Sequence, residues 1–225
     1  MRAFALVAAA LLLAAPASAR TTVIGRSWQG RAIRAVEVGN PSGRRVLVVG
    51  AIHGNETAGI AVALALERLD PADLDLWIVP DLNPDGVAGG TRGNAHGVDL
   101  NRNFPWRWRP LTGVYASGPR ALSERESRIA HRLILRLRPR VTIWFHQHLD
   151  LVWGSGGSRR IERVFARASG LPYRPRPRLP GSATAWQNAA LPGTTAFVAE
   201  LPAGPANPAE VRRYVRAVLA AGRTR

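Results

Sequence analysis

Short apolar runs alternate with amphipathic stretches along most of this chain, and the runs end at Gly, Pro or a polar residue. Continuous apolar runs of about 4–8 residues with such boundaries are typical of buried strands. β-favouring residues on both sides of Trp28-Gln29-Gly30 indicate a hairpin at the start of a sheet. The predicted strands are 21–24, 31–38, 44–50, 74–80, 141–145 and 194–199.

Helical spacing of apolar residues predicts helices between and after these strands. One of them opens with Ser123-x-x-Glu126, a capping-box pattern. The predicted helices are 57–69, 123–138, 161–169 and 209–221. The segment from 81 to 118 has little periodicity and is long enough to indicate a functional loop. Strands that alternate with helices predict an α/β fold with a largely buried central sheet.

The first 19 residues have the features of a secretory signal peptide. One arginine precedes an apolar run shorter than the about 20 residues that cross a bilayer, and Ala17-Ser18-Ala19 is typical of a processing site. We predict a signal peptide at 1–19, with an uncleaved anchor as the alternative, and one domain at 20–225. No later segment is predicted to cross a membrane. The chain has no cysteine, so disulfides cannot stabilise it after export.

The chain is strongly basic, with a formal net charge of +16 and no lysine. Loss of Arg2 with the signal peptide would leave +15, that is 16 − 1. Nucleic acid is disfavoured as a partner because the arginines are scattered over helices and loops without interleaved aromatic residues. A solvated basic face accounts for the charge; if it has a partner, an anionic cell-wall polymer or membrane surface suits an exported protein.

Polar residues that can bind metal or transfer protons stand at the ends of three predicted strands. His53, His146 and Glu200 each follow an apolar run. In open α/β sheets, ligands collect at the carboxyl ends of strands. His53 and Glu56 are three residues apart where a helix is predicted to begin, so both could reach one ion. Taken alone, this pair also fits a capping glutamate beside a hydrogen-bonded histidine.

Several short motifs run in order through most of the chain. They are Gly25-Arg26-Ser27-Trp28-Gln29-Gly30-Arg31, His53-Gly54-Asn55-Glu56, Asn83-Pro84-Asp85-Gly86, Gly97-Val98-Asp99-Leu100-Asn101-Arg102-Asn103-Phe104, His146 and Glu200-Leu201. This series resembles the zinc carboxypeptidase family of the carboxypeptidase A type, and within it the small bacterial members similar to murein peptide amidase. The resemblance implies a zinc metallocarboxypeptidase that acts on peptide bonds. It also implies a single-domain, carboxypeptidase-like fold with a mixed, mostly buried central sheet flanked by helices.

By this resemblance, one zinc ion is bound by His53, Glu56 and His146. Two histidines and one carboxylate leave a fourth position open, which is typical of a catalytic metal. Asp99 matches the aspartate that orients the first histidine ligand from behind. Glu200 matches the general base that takes a proton from water and returns it to the leaving amine. The apolar residues before Glu200 predict that its carboxylate is partly desolvated.

The resemblance assigns further residues to the substrate. Arg92 matches the arginine that stabilises the oxyanion of the tetrahedral intermediate. Asn101 and Arg102 match the pair that binds a free terminal carboxylate, which implies an exopeptidase-like preference. His148 is an alternative metal ligand to His146, because alternate residues of a strand share a face and the register could slip.

The chain is much shorter than the digestive carboxypeptidases of the family. It lacks most of the loops that shape their side-chain pocket. The place of the family's mobile tyrosine falls near Arg176 and Pro177, where there is no tyrosine. Tyr173 could replace it only if the Pro/Arg loop bends inward. The predicted floor of the side-chain pocket at 183–185 carries no charge, whereas the basic loop above it could attract an acidic substrate.

The sequence therefore favours a secreted or extracytoplasmic peptidase, in the periplasm or cell wall, whose substrate is a peptide with a free carboxylate. The leading hypothesis is a peptidoglycan-derived peptide, for example the γ-D-glutamyl bond to diaminopimelate. Two alternatives stay open. One is a deacylase of N-acyl amino acids similar to aspartoacylase and succinylglutamate desuccinylase, which also use His-x-x-Glu and an Asn-Arg pair. The other is a catalytically inactive wall-binding module.

Overall fold

The structure of the protein, a computed structural model, describes residues 19–225. Apart from Ala19, the predicted signal peptide lies outside the described residues, so the domain boundary stays a prediction. One sheet of eight strands runs through the molecule. The strands are β1 (Arg20–Arg26), β2 (Ala32–Gly39), β3 (Arg44–Val49), β4 (Leu74–Val79), β5 (Val141–Gln147), β6 (Leu151–Gly154), β7 (Tyr173–Pro175) and β8 (Thr195–Leu201). Each predicted strand is confirmed within two residues at either end.

The sheet is mixed, with the order β1-β2-β4-β3-β5-β8-β6-β7. Its central strands β4, β3, β5 and β8 run parallel to one another. β2 joins β4 antiparallel on one side, and β6 joins β8 antiparallel on the other. The carboxyl ends of the central strands therefore meet at one edge, where an open α/β sheet forms its binding sites.

Helices cover both faces of the sheet, as a sheet with apolar side chains on both faces requires. They are α1 (Ala58–Leu66), α2 (Pro84–Gly89), α3 (Arg125–Leu137), α4 (Arg159–Ser169), α5 (Ala183–Ala190) and α6 (Pro208–Arg223). Val48 and Phe145 pack with α1, α4 and α6, whereas Leu47 and Trp144 pack with α3 and α5. This alternation along β3 and β5 gives the molecule two cores, one on each face. None of the helices in the described residues is long and apolar enough to span a membrane.

The capping box predicted at the start of α3 is wrong. α3 begins after Glu124 and has no side-chain cap. Ser123 instead donates from Oγ to Glu124 Oε1 at 2.7 Å, and Glu126 accepts a hydrogen bond from Asn94 Nδ2 at 3.1 Å. Glu126 is fully buried. Its distant partners compete with the local cap, because a buried carboxylate must be hydrogen-bonded.

The apolar pattern does not predict the short elements β6, β7, α2 and α5. β7 has only three residues and pairs with β6 at the edge of the sheet, where proline is tolerated. α5 begins after Ser182, whose Oγ accepts the Ala185 N–H at 3.3 Å. These four elements are too short to give a periodic signal of their own.

The helix α1 ends at Leu66, three residues before the predicted helix end.

Candidate metal centre

The predicted site residues meet at the carboxyl edge of the central strands. His146 and Glu200 are register partners on β5 and β8, and His53 lies in the loop after β3. Trp144 and Val198, two residues before His146 and Glu200, both belong to the core that packs on α3 and α5. Because strand side chains alternate between faces, His146 and Glu200 lie on the same side of the sheet.

A close backbone crossing fixes the loop at 53–56. A Cβ atom on Gly54 would lie 1.9 Å from the carbonyl carbon of Gly86, so a residue with a side chain does not fit there. Asn83 supports the crossing from Nδ2, which donates to the Ile52 carbonyl at 3.2 Å. The Asn-Pro-Asp-Gly motif thus holds the loop in place and does not line the cavity.

Three buried side chains form a candidate metal site. Ligand atoms of His53, Glu56 and His146 all lie within 4.8 Å of one another. Nδ1 of His146 is 2.9 Å from Glu56 Oε2, and Nδ1 of His53 is 3.0 Å from the same oxygen. His53 Nδ1 is not aligned for a hydrogen bond with that oxygen, and it has no hydrogen-bond partner in the described part of the chain. Two imidazole rings and one carboxylate fit zinc, and two ring nitrogens, His53 Nδ1 and His146 Nε2, have no hydrogen-bond partner among the described residues of this buried site.

The charges around this site also fit a cation. Burial opposes the ionisation of Glu56, but the contacts with His146 and His53 outweigh burial and lower its pKa far below the ordinary value. The pKa of Asp99 is lowered likewise, because the contact with His53 outweighs burial. Burial alone would lower the pKa of His53, yet its contacts with Asp99 and Glu56 raise it. Two ionised carboxylates beside His53 create a negative environment that a metal cation can neutralise.

Asp99 lies directly behind the first histidine. Its Oδ1 is 2.9 Å from His53 Nε2, which assigns the imidazole proton to Nε2 and leaves Nδ1 for a metal. Arg92 binds the other carboxylate oxygen of Asp99 through Nε at 3.1 Å and Nη2 at 3.0 Å. The same guanidinium donates from Nη1 to Glu56 Oε1 at 2.8 Å. Arg92 therefore links the carboxylate of a candidate ligand to the carboxylate behind the histidine.

Asn101 and Arg102 belong to a single 3-10 turn that follows Asp99. Asn101 Oδ1 accepts the Ala183 N–H at 3.0 Å, so the amide nitrogen is the end that can donate to a ligand. Arg102 donates from Nη1 to the Asn101 carbonyl at 2.8 Å. Burial lowers the pKa of Arg102, but an arginine keeps its charge near neutrality. The turn offers an amide and a guanidinium side by side.

Tyr115 is a site residue that the sequence pattern does not reveal. Its ring centroid lies 5.4 Å from Arg92 Cζ and 5.3 Å from Arg102 Cζ, within the range of cation–π contacts. The side chain is half exposed and lines the same cavity as both arginines. Its approach depends on how the aperiodic segment from 81 to 118 folds back, so no local pattern marks it.

One cavity of about 510 Å³ brings these groups together. Glu200 is 7% exposed, as the apolar residues before it predict, and its Oε2 has no hydrogen-bond partner among the described residues. Thr184 lines the cavity, so the predicted floor at 183–185 contributes to it. The site residues on the lining are His53, Glu56, Arg92, Asn101, Arg102, His146 and Glu200.

Two alternatives from the sequence do not hold. β5 ends at Gln147, so the strand alternation that would favour His148 stops before it. His148 is exposed at the cavity border and does not belong to the metal group. Tyr173 does not line the cavity, because its hydroxyl donates to Glu162 Oε2 at 2.9 Å. Burial and Glu162 together raise the pKa of Tyr173 to about 12.

We expect His146→Ala to lose stoichiometric zinc and His148→Ala to keep it, because only His146 lies among the candidate ligands. Zinc content after dialysis measures this, and circular dichroism checks that both variants fold. Equal zinc loss in the two variants would contradict the ligand set.

Two family models match this chain. The model described as succinylglutamate desuccinylase/aspartoacylase catalytic domain matches residues 42–223. The model described as zinc carboxypeptidase matches residues 7–69. The first match contains all the residues that line the cavity, whereas the second contains His53 and Glu56.

Curated relatives match over part of their length. Murein peptide amidase A of Escherichia coli strain K12 is 33% identical over 121 residues, which are 47% of this chain and 50% of that protein. The protein of the same name from Vibrio campbellii is 33% identical over 146 residues, which are 58% of this chain and 59% of that protein. The chain thus spans half to three-fifths of the length of these relatives.

Solved structures match over most of the chain. The murein-tripeptide amidase from Escherichia coli O157 has a TM-score of 0.75 and 27% identity, and the match covers 91% of this chain and 92% of that one. Carboxypeptidase A from Helicoverpa armigera has a TM-score of 0.76 at 19% identity, covering 91% and 68%, which shows the fold alone. These findings confirm the carboxypeptidase-like fold, the resemblance to small bacterial zinc carboxypeptidases similar to murein peptide amidase, and zinc as the cofactor.

Proposed function

Since this chain belongs to the family of the succinylglutamate desuccinylase/aspartoacylase catalytic domain and has the carboxypeptidase fold, we propose that it is a zinc metallocarboxypeptidase or peptide amidase. It hydrolyses a peptide or amide bond next to a free carboxylate. One observation carries this proposal: a metal group, a buried carboxylate and an amide–guanidinium pair line a single cavity.

Glu200 acts as the general base in this proposal. Bound zinc supplies a Lewis acid that polarises the scissile carbonyl and makes water more acidic. Glu200 is the register partner of His146, and its free Oε2 accepts a proton from the attacking water. The oxygen of that water bonds to the carbonyl carbon. As the C–N bond breaks, the Glu200 carboxylic acid returns the proton to the leaving nitrogen.

Arg92 stabilises the oxyanion that forms during this step. A guanidinium has five N–H donors, and three of them already donate to Glu56 and Asp99. Two donors remain for a substrate oxygen, and the side chain of Arg92 is 27% exposed to the cavity. Two carboxylates hold the cation in place, and such preorganised charge is what stabilises a transition state.

Asn101 and Arg102 bind the free carboxylate of the substrate. A guanidinium fork and an amide NH₂ match the two oxygens of a carboxylate. Neither side chain donates to a protein carboxylate among the described residues, although Asp99 lies only two residues before Asn101. Tyr115 packs its ring on Arg102 and limits its movement. This pair gives the site its preference for a bond next to a chain end.

The substrate we propose is a cell-wall peptide, for example one with a γ-D-glutamyl bond to diaminopimelate. The similarity to murein peptide amidases supports it. The predicted signal peptide at 1–19 supports an extracytoplasmic location, in the periplasm or cell wall, where such peptides occur. The net charge of +16, which becomes +15 (16 − 1) once Arg2 is lost with the predicted signal peptide, further suggests an anionic cell-wall polymer as a partner of the exported protein.

Incubation of the zinc-loaded protein with muropeptides tests this function. We expect release of diaminopimelate from muropeptides that end in this residue, detected by mass spectrometry. A chelator should stop the release and added zinc should restore it, since the ligands hold the metal that the reaction needs. A zinc-loaded, folded protein that releases nothing from any muropeptide would contradict the proposal.

A deacylase of N-acyl amino acids is the second candidate, favoured by the family match over 42–223. It would cleave the amide between an acyl group and the nitrogen of an amino acid. Glu200 would again act as the base, and Asn101 and Arg102 would again bind the free carboxylate. The ratio of kcat/KM for muropeptides to that for N-acetylaspartate and N-succinylglutamate separates the two. An inactive wall-binding module is a third candidate, and the complete metal group with Glu200 disfavours it.

A further inference from the structure

We infer that Arg176 and Arg178 select substrates whose leaving residue carries a second carboxylate in its side chain. This specificity role rests on the proposed function, in which Asn101 and Arg102 bind the first carboxylate. The two arginines lie in the Pro/Arg segment that follows β7, and both are exposed.

The segment that carries the arginines is fixed at the cavity mouth. Pro177 and Leu179, which flank Arg178, line the cavity. The Arg176 N–H donates to the Gly154 carbonyl at 3.2 Å, which ties the segment to β6. At its other end, the Gly181 N–H donates to the Trp106 carbonyl at 2.8 Å. Backbone contacts on both sides keep the arginines at this rim.

Both guanidinium groups border the same wall of the cavity. Cζ of Arg176 lies 4.9 Å from the ring centroid of Trp153, a lining residue. Arg178 lies against Gly156, because a Cβ atom there would be 2.6 Å from Arg178 Nε. Gly156 follows Ser155, which also lines the cavity. Two cations therefore lie beside the wall from 153 to 156, at the rim of the cavity.

Neither cation has a partner of opposite charge among the described residues. The arginines that pair with a carboxylate there are Arg20, Arg31, Arg45, Arg92 and Arg223. Glu162, which is buried behind the wall, accepts hydrogen bonds from the Tyr173 hydroxyl at 2.9 Å and the Ser155 N–H at 3.3 Å. The carboxylates on the described lining are Glu56 and Glu200 only. Arg176 and Arg178 thus have no carboxylate partner in the described part of the chain and can bind an anionic ligand.

The chemistry of this wall matches a leaving residue with two carboxylates. The Cζ atom of Arg178 lies 6.0 Å from the ring centroid of Trp106, so each of the two guanidinium groups lies next to an indole ring. Such groups bind carboxylates through paired N–H donors while the rings restrict their rotamers. Diaminopimelate has a second carboxylate at the far end of its side chain. When Asn101 and Arg102 bind the first one, the second can meet the arginine rim.

A charge-matched variant series tests the role. The double variant Arg176→Gln/Arg178→Gln is compared with Arg132→Gln/Arg140→Gln, which removes two exposed arginines on α3 and before β5. The substrates are a γ-D-glutamyl-diaminopimelate peptide and its analogue with the distal carboxylate amidated. We expect the rim variant to lose about 10- to 100-fold in kcat/KM on the free acid, mainly through KM, and to be unchanged on the amide. The control variant should be unchanged on both.

Equal losses on acid and amide, or no loss on either, would overturn the role of the rim. If the wild type releases nothing from either peptide, the proposed function fails instead. Calorimetric titration then still tests the rim: the zinc-loaded wild type should bind diaminopimelate more tightly than its distal monoamide, and the rim variant should bind them equally. Equal affinities in the wild type would contradict the inference.

Discussion

Replacement of Glu200 by glutamine should lower kcat by about 100- to 10,000-fold while one zinc per chain stays bound. An amide has the shape of the carboxylate but cannot accept the proton of the attacking water. Glu200 Oε2 has no hydrogen-bond partner among the described residues, and Glu200 is not in the metal group. The substitution therefore removes the base and leaves the ligands and the packing unchanged.

Three measurements separate this result from a loss of structure. Turnover of a muropeptide gives kcat, metal analysis gives the zinc content, and thermal unfolding gives Tm. Glu37→Gln makes the same chemical change on β2, away from the cavity lining, and should be neutral. If Glu200→Gln keeps more than a tenth of the kcat, Glu200 is not the base. If the wild type and the Glu200→Gln variant both bind zinc but turn over no substrate, the inactive-module hypothesis gains support.

The centre of the site could be predicted because simple geometry brings it together. Buried parallel strands show as continuous apolar runs, and their carboxyl ends share one edge of the sheet. His146 and Glu200 needed only this rule to become neighbours, as their register pairing shows. His53 and Glu56 needed one more element, the loop that the close contact between Gly54 and Gly86 of α2 fixes. The strand ends place His53, His146 and Glu200 at one edge of the sheet, whereas their assignment to one zinc site came from the resemblance to the zinc carboxypeptidases.

The surroundings of the site depend on contacts between distant segments, and the sequence does not show these. Tyr115 reaches two arginines only after a long aperiodic segment folds back. Glu126 has a local capping pattern, but a buried contact with Asn94 determines its position. Arg92 could be assigned to the oxyanion by its motif, whereas its bonds to Glu56 and Asp99 emerge only in three dimensions. Local propensity is a weak guide where tertiary contacts compete with it.

The carboxylate preference of the enzyme should disappear in Arg102→Met. In the wild type, a peptide with a free terminal carboxylate should be cleaved at least about 100-fold more efficiently than its terminal amide, because charged hydrogen bonds contribute about 1.5–3 kcal/mol each. Methionine fills the space of the arginine stem without its donors. Asn101 keeps its bond to the Ala183 N–H, so the turn should remain folded. The loss of discrimination should come from slower cleavage of the acid, with the amide unchanged.

Arg102→Lys is the matched control, because it keeps the positive charge and loses the planar fork. We expect it to discriminate between acid and amide less than the wild type and more than Arg102→Met. The ratio of kcat/KM for the two substrates measures this in each protein, and zinc content shows whether the metal site is intact. If the Arg102→Met variant still prefers the acid over the amide by about 100-fold, the carboxylate is bound by residues other than Arg102. Such a result would leave the roles of His53, Glu56, His146 and Glu200 untouched, because none of them contacts the arginine through a hydrogen bond or ion pair in the described structure.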